Sequence, residues 1–362
     1  VIEYENLEKL NAPYRLDYEK KFSQVLQKGW YILGEQVKEF ELAFAKYCGV
    51  KHCIGVGNGL DALILSLIAL DLPEGSEVIV PSNTYIATIL AILHAGLRPI
   101  LVEPDLATYN MDPNKIEAAI TSKTRVILPV HLYGKLCDMQ AIMDIAHRRQ
   151  LWVLEDAAQA HGAMQNNIKA GAWADLTAFS FYPTKNLGAI GDAGAITTND
   201  DKLAEKLTSI RNYGSRVKYY NDYVGFNSRL DEVQAGFLSI KLQHLDEINQ
   251  HKRQLASYYL EQIDERYIKP VTQIGFFDVY HIFNVRHPQR DKLKSYLLEQ
   301  GIKTEIHYPL PPNKQKAMQG ILTGNYPISE EIHQTTLSLP ISTFHTENDI
   351  KQIIEALNKF EA

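Results

Sequence analysis

An α/β fold built on a mainly parallel sheet, followed by a smaller α+β domain, is predicted by three observations. Short strand-like runs alternate with longer apolar stretches of helical spacing from residue 51 to residue 198, the pattern of βαβ units whose sheet is covered by helices on both faces. Motifs bearing glycine, serine or an acid follow directly on those runs, and ligands gather at the carboxyl ends of such strands. Beyond residue 263 the pattern changes to separate strand and helix signals.

The runs His52-Cys-Ile-Gly-Val56, Glu77-Val-Ile-Val80, Arg125-Val-Ile-Leu128 and Leu151-Trp-Val-Leu154 read as strands, and Ala62 to Leu70 as a helix. Gly57 to Asp61 follows the first strand, Ser82 to Thr84 the second, and Asp156 the last. Residues 203–263 carry apolar residues at helical spacing, clearest from Val233 to Leu245, and are expected to join two domains. Tyr280 to Arg286 then reads as a strand, Asp291 to Gln300 as a helix stopped by Gly301, and Thr346 to Phe360 as a terminal helix. A chain of 362 residues exceeds one compact core. The expected division is a large domain with an N-terminal arm over 1–240 and a small C-terminal domain over 241–362.

A hydrophobic content of 45% supplies both cores. The net charge of −6 and a pI near 6.1 weigh against a dedicated nucleic-acid binder, which needs a basic face, but leave room for a local basic pocket for one diphosphate. Cys48, Cys53 and Cys137 lack metal-ligand spacing and are too few for a disulfide framework in so long a chain. No metal is therefore expected, and the thiols suggest a reducing compartment. No apolar run is long enough to span a bilayer, and Val1-Ile-Glu-Tyr-Glu5 lacks the basic and apolar regions of a signal peptide. The expectation is a soluble cytoplasmic protein that engages neither membrane nor nucleic acid.

Lys185, in Ser180-Phe-Tyr-Pro-Thr-Lys-Asn-Leu-Gly188, is the most informative residue. It follows Asp156, in Glu155-Asp-Ala-Ala-Gln-Ala-His-Gly162, by 29 positions. Together they read as a pyridoxal phosphate site. The amine would hold the cofactor aldehyde as a Schiff base, and the carboxylate would keep the pyridine nitrogen protonated, so that the ring accepts electrons from a substrate carbanion. Each alone has a plainer reading, as a solvated lysine or a helix N-cap. Gly55-Val-Gly-Asn-Gly-Leu-Asp61, ahead of an apolar helix, offers backbone N–H groups and a positive helix end to a phosphate. Its spacing matches neither the dinucleotide fingerprint nor the Walker A loop, and a tight strand-to-helix turn is the alternative.

These motifs belong to an ordered series that also contains Gly29-Trp-Tyr-Ile-Leu-Gly34, Pro81-Ser-Asn-Thr-Tyr-Ile-Ala-Thr88, Val130-His-Leu-Tyr-Gly134, Gly225-Phe-Asn-Ser-Arg-Leu-Asp-Glu232, His307-Tyr-Pro309 and Leu337-Ser-Leu-Pro340. With it the chain resembles, almost end to end, the DegT/DnrJ/StrS sugar aminotransferases, fold-type I pyridoxal phosphate enzymes acting on nucleotide-linked keto-sugars. The wording of Asn58 to Ala62, Asn83 to Thr88 and Phe226 to Leu230 is most similar to the branch that aminates C3 of thymidine-diphosphate-linked 3-keto-6-deoxyhexoses in deoxyamino-sugar biosynthesis.

The resemblance implies roles for individual residues. The amides of Gly59 and Leu60 and the Ser180 hydroxyl would contact the cofactor phosphate. Many relatives carry Thr where this chain has Leu60, so the backbone must supply that contact here. Tyr85 would stack on the pyridine ring, and Gln159 would reach the phenolic oxygen. Asn227 would reach from a neighbouring subunit to the cofactor phosphate, which implies an obligate homodimer with shared active sites. Tyr182 and His307 would lie near the sugar, His307 within the rigid loop His307-Tyr-Pro-Leu-Pro-Pro312.

Plainer readings stand beside these. Tyr85 also reads as a core tyrosine, Asn227 as a turn residue and His307, equally well, as a loop-buttressing histidine. Arg229 binds an anionic group of substrate or donor, or else pairs with Asp231 or Glu232. His161 reads as a core histidine, outside the catalytic set. The implied reaction is a two-half transamination with glutamate as amino donor, the cofactor alternating between pyridoxal and pyridoxamine phosphate, and Lys185 moving the proton in both halves. Competing readings are a C4 aminotransferase, a pyridoxamine-dependent sugar dehydratase in which histidine replaces the lysine, and a non-catalytic cofactor-binding regulator. The glycine loop alone suggests an NAD-dependent oxidoreductase.

Overall fold

The computed structural model describes residues 1–361. Its central sheet has seven strands: β1 (His52–Val56), β2 (Glu77–Pro81), β3 (Arg98–Val102), β4 (Thr124–Ile127), β5 (Trp152–Asp156), β6 (Leu176–Ser180) and β7 (Gly194–Thr198). Their order is β1-β7-β6-β5-β4-β2-β3. β7 runs antiparallel to both neighbours, and every other pairing is parallel.

Side chains of successive strand residues alternate between two apolar cores. Val78, Val80, Val126, Leu154, Ala178 and Ile196 enter one, with the helices Gly59–Ala69, Ile86–His94 and Asp201–Ile210. Ile79, Ile127, Val153, Phe179 and Ala195 enter the other, with Glu35–Cys48, Met139–Arg149 and Glu232–Leu242. Burial on both faces is the physical reason the four recognised strands read as near-continuous apolar runs. β3 and β7 lacked that signal: β3 opens with Arg-Pro, and β7 is Gly-Ala-Ile-Thr-Thr.

A third core holds Tyr259, Phe283, Leu293, Leu337, Ile350 and Leu357. It lies around the antiparallel pair β8 (Phe283–Arg286) and β9 (Thr336–Leu339), packed by Leu245–Gln262, Arg290–Glu299 and Glu347–Lys359. Thr346 and Asp349 cap the last helix reciprocally. The helix Leu245–Gln262 places Leu245 in the first core and Leu255, Ala256 and Tyr259 in the third. It therefore spans the junction.

Two expected elements are corrected. Residues 203–263 are not helical throughout, because Asp201–Ile210 ends and a non-helical segment with a small hairpin, Ser215–Val217 and Tyr220–Asn221, precedes Glu232. Gly214, at φ +73°, packs directly on the Tyr223 backbone, which a side chain there would prevent. The strand expected from Tyr280 begins only at Phe283, since Tyr280 takes φ 44° and turns the chain. No helix among the described residues is long and apolar enough to cross a membrane.

Candidate active site

β1, β2, β4, β5 and β6 all point the same way, so the loops leaving their carboxyl ends meet at one sheet edge. A cavity of about 550 Å³ opens there. Gly59, Leu60, Tyr85, Asp156, Gln159, Ser180, Tyr182, Lys185 and His307 all line it. Asn227 and Arg229 are not among its described lining residues.

Lys185 sits in a tight turn after β6, its backbone N–H donating to the Tyr182 carbonyl at 2.8 Å. Its Nζ lies 3.4 Å from His281 Nε2. Burial lowers the amine to about 8 against the opposing pull of the Asp156 carboxylate, closer to neutral pH than an exposed lysine but still mostly protonated there. Asp156 ends β5 deep in the site. Thr88 Oγ1 donates to its Oδ2 at 2.8 Å and the Ala158 N–H to its Oδ1 at 3.2 Å, while burial raises the carboxyl above its ordinary range.

The helix Gly59–Ala69 points its N-terminus into the same space. Asn58 caps it by accepting the Asp61 N–H at 2.8 Å, while the amides of Gly59 and Leu60, in the first turn, have no carbonyl one turn earlier to bond within the helix. A Cβ on Gly59 would come within 2.5 Å of Ser180 Cβ, so glycine is what lets the helix start approach the Ser180 hydroxyl. This set of donors suits a phosphate. Tyr85 is half exposed, with its ring 4.9 Å from that of Tyr308. Gln159 Oε1 accepts the Tyr133 N–H at 2.6 Å and its Nε2 donates to the Tyr308 hydroxyl at 3.1 Å. His307 Nδ1 lies 2.9 Å from Ser338 Oγ, and burial followed by the Lys185 charge lowers it to about 4.

The anticipated pairing of Arg229 with Asp231 or Glu232 is not formed. Its Nη1 donates to Asn212 Oδ1 at 2.9 Å and its guanidinium lies over the Tyr213 ring. Glu232 instead accepts the N–H groups of Gly34, Gln36 and Val37 at 2.8–3.0 Å, capping the helix that starts at Glu35. Asn227 is exposed. His161 is buried between Phe179 and Phe181 and held by burial at about 3, as a core histidine.

Sequence reading missed Thr88 and His281 as site residues. Thr88 had a local signal, in the first turn of the helix that Tyr85 precedes. His281 had none, because it meets Lys185 from 96 residues away.

Residues 15–358 match the model of the DegT/DnrJ/EryC1/StrS aminotransferase family. The chain is 52% identical to the dTDP-3-amino-3,6-dideoxy-alpha-D-galactopyranose transaminase of Aneurinibacillus thermoaerophilus, over 99% of each chain. Its structure is similar to that of Streptomyces venezuelae DesV in complex with a ketimine intermediate, with a TM-score of 0.97 at 42% identity over 99% of this chain and 98% of that one. It is also similar to NtdA from Bacillus subtilis with bound cofactor PMP, with a TM-score of 0.91 at 32% identity over 98% and 84%. A match of that extent makes the chain a member of the DegT/DnrJ/EryC1/StrS aminotransferase family.

Proposed function

We propose that the protein is a pyridoxal-phosphate-dependent aminotransferase that converts a thymidine-diphosphate-linked 3-keto-6-deoxyhexose to the 3-amino-3,6-dideoxyhexose, with glutamate as donor. The observation that carries this reading is a half-buried lysine lining the same cavity as a buried aspartate, its amine lowered by desolvation, beside an anion-ready helix start. Retention of Lys185 weighs against the dehydratase alternative. The sugar position rests on the likeness to the 3-amino-sugar transaminase.

The residues fit the cofactor. Gly59, Leu60 and Ser180 would hold its phosphate, Tyr85 its ring face, Gln159 its phenolic oxygen and Asp156 its pyridine nitrogen. When bound, pyridoxal phosphate supplies an electron sink for the carbon that loses or gains the amino group. Lys185, as a free amine, would take a proton at Nζ from the amino donor's α-carbon and would deliver one to the sugar carbon in the reverse half. Asp156, ionised beside a protonated ring nitrogen, stays fixed by Thr88 and the Ala158 amide. Tyr182 and His307, which line the cavity, would border the sugar, and Arg229 is not among the lining residues. We assign residues 1–240 to cofactor binding and 241–362 to the smaller domain.

The test is product analysis after incubation with glutamate and the 3-keto-6-deoxy sugars of both C4 configurations, or the 4-keto sugar. A 3-amino product and bleaching of the protein's yellow colour by glutamate are expected. A 4-amino product, or none, would overturn the reading.

A homodimer with shared sites is part of the same proposal. Asn227 is exposed, and so are Trp30, Tyr31, Tyr219, Tyr220 and Val224 on nearby segments, an apolar surface suited to a second copy. The reducing cytoplasm follows from the reaction class and agrees with three free cysteines. If Asn227 completes the partner's site, Lys185→Ala and Asn227→Asp are each inactive, since a carboxylate beside the phosphate repels it. Their heterodimer places both lesions in one site and leaves the other whole, so co-refolded equal mixtures regain about a quarter of wild-type activity. A monomer in sedimentation, or no recovery despite subunit exchange, would rule out shared sites.

A further inference from the structure

We propose that His281 is a positioning residue for Lys185: its ring Nε2 accepts an N–H of the lysine and so aims the lone pair of the amine into the cavity. The two nitrogens lie 3.4 Å apart. The backbones on both sides of this contact are tied together by buried polar groups. Asn186, next to Lys185, donates from Nδ2 to the Val279 carbonyl at 3.0 Å and to Asn249 Oδ1 at 2.8 Å. Lys252 Nζ donates to Asn186 Oδ1 at 3.0 Å and to the His281 carbonyl at 3.2 Å. The lysine and histidine therefore meet between segments that cannot shift independently.

His281 Nδ1 is buried without a hydrogen-bond partner among the described residues. An unpaired polar atom in a packed interior costs stability, and an apolar side chain would avoid that cost. A ring placed here despite that cost points to the work of its other nitrogen.

Charge decides the direction of the contact. Lys185 is faced by Asp156 from β5, by His161 and His307 from flanking loops, by Lys252 from the helix Leu245–Gln262, and by Asp192 and Tyr308 at the cavity wall. Burial holds His161 at about 3 and His307 at about 4. Burial, reinforced by Lys185 and Lys252, pushes His281 well below its ordinary value. All three rings are neutral at pH 7, since an imidazolium this close to an ammonium is opposed in a dry site. His281 is thus an acceptor and not a second cation.

The inference rests on Lys185 as the reactive amine of the proposed reaction. His281→Phe keeps a ring and removes the acceptor, His281→Asn keeps an amide too short to reach, and His281→Gln restores an oxygen near the place of Nε2. The Phe and Asn variants are expected to lose about 10- to 100-fold in kcat with the sugar KM within about threefold, and the Gln variant to recover most of it. In cofactor-free protein, acetic anhydride labelling of Lys185 across pH, read by peptide mass spectrometry, gives a second measure that needs no turnover. An acceptor favours the ammonium form, so the labelling midpoint should fall in the Phe and Asn variants and return in Gln. Wild-type kcat within about twofold in either the Phe or the Asn variant, equal loss in Gln, or an unmoved midpoint would overturn the assignment. Full activity in Lys185→Ala would instead remove the reading beneath it.

Discussion

Lys185→Ala is expected to lose transamination by about 10,000-fold, the upper range for a positioned acid–base group, while the protein still folds. The amine makes one hydrogen bond, at 3.4 Å, and burial already works against its charge. Deleting it therefore removes little that supports the fold, and the thermal midpoint should stay within a few degrees of wild type. Lys185→Arg is expected to fare no better, because a guanidinium keeps its proton at any working pH. Steady-state turnover and a thermal melt on the same preparation check both halves. Turnover within about tenfold of wild type, a barrier change of about 1.4 kcal/mol, would remove Lys185 from the chemistry.

Asp156→Asn is expected to cost about 100- to 1,000-fold in the chemical step, on the scale of losing one preorganised electrostatic group, with the sugar KM little changed. The amide keeps the shape: its oxygen can accept the Ala158 N–H, and its nitrogen can donate to Thr88 Oγ1, which in turn contacts Thr84 Oγ1 at 2.7 Å. It cannot hold a proton on the ring nitrogen. Stability should move the other way. Burial raises this carboxyl above its ordinary range, so its ionisation opposes folding once the pH exceeds its unfolded pKa. At neutral pH the uncharged variant, without cofactor, should melt at the same temperature or higher. Below the unfolded pKa, where the carboxyl is protonated in both states, that advantage should vanish. Single-turnover rates equal to wild type would show that the Asp156 charge is unimportant.

The contrast between these residues and His281 marks how far the chain could be read alone. Lys185, Asp156, Gly59 and Ser180 each stand directly beyond or at the end of a strand or at a helix start, so local patterning and resemblance together placed them at one sheet edge, and the parallel direction of β1, β2, β5 and β6 brings them there. The same locality made β1, β2, β4 and β5 legible, because strands covered on both faces are nearly uninterrupted apolar runs, and made the capped terminal helix legible from Thr346 onward. The antiparallel insertion of β7, the break of helix after Ile210, the turn at Tyr280 and the choice of Asn212 as the partner of Arg229 were decided by tertiary structure. So were the Thr88–Asp156 and Lys185–His281 contacts, which join residues 68 and 96 positions apart. Periodicity and capping act within a few residues along the chain, whereas these features depend on which distant segments pack together, and that is settled by the folded core as a whole.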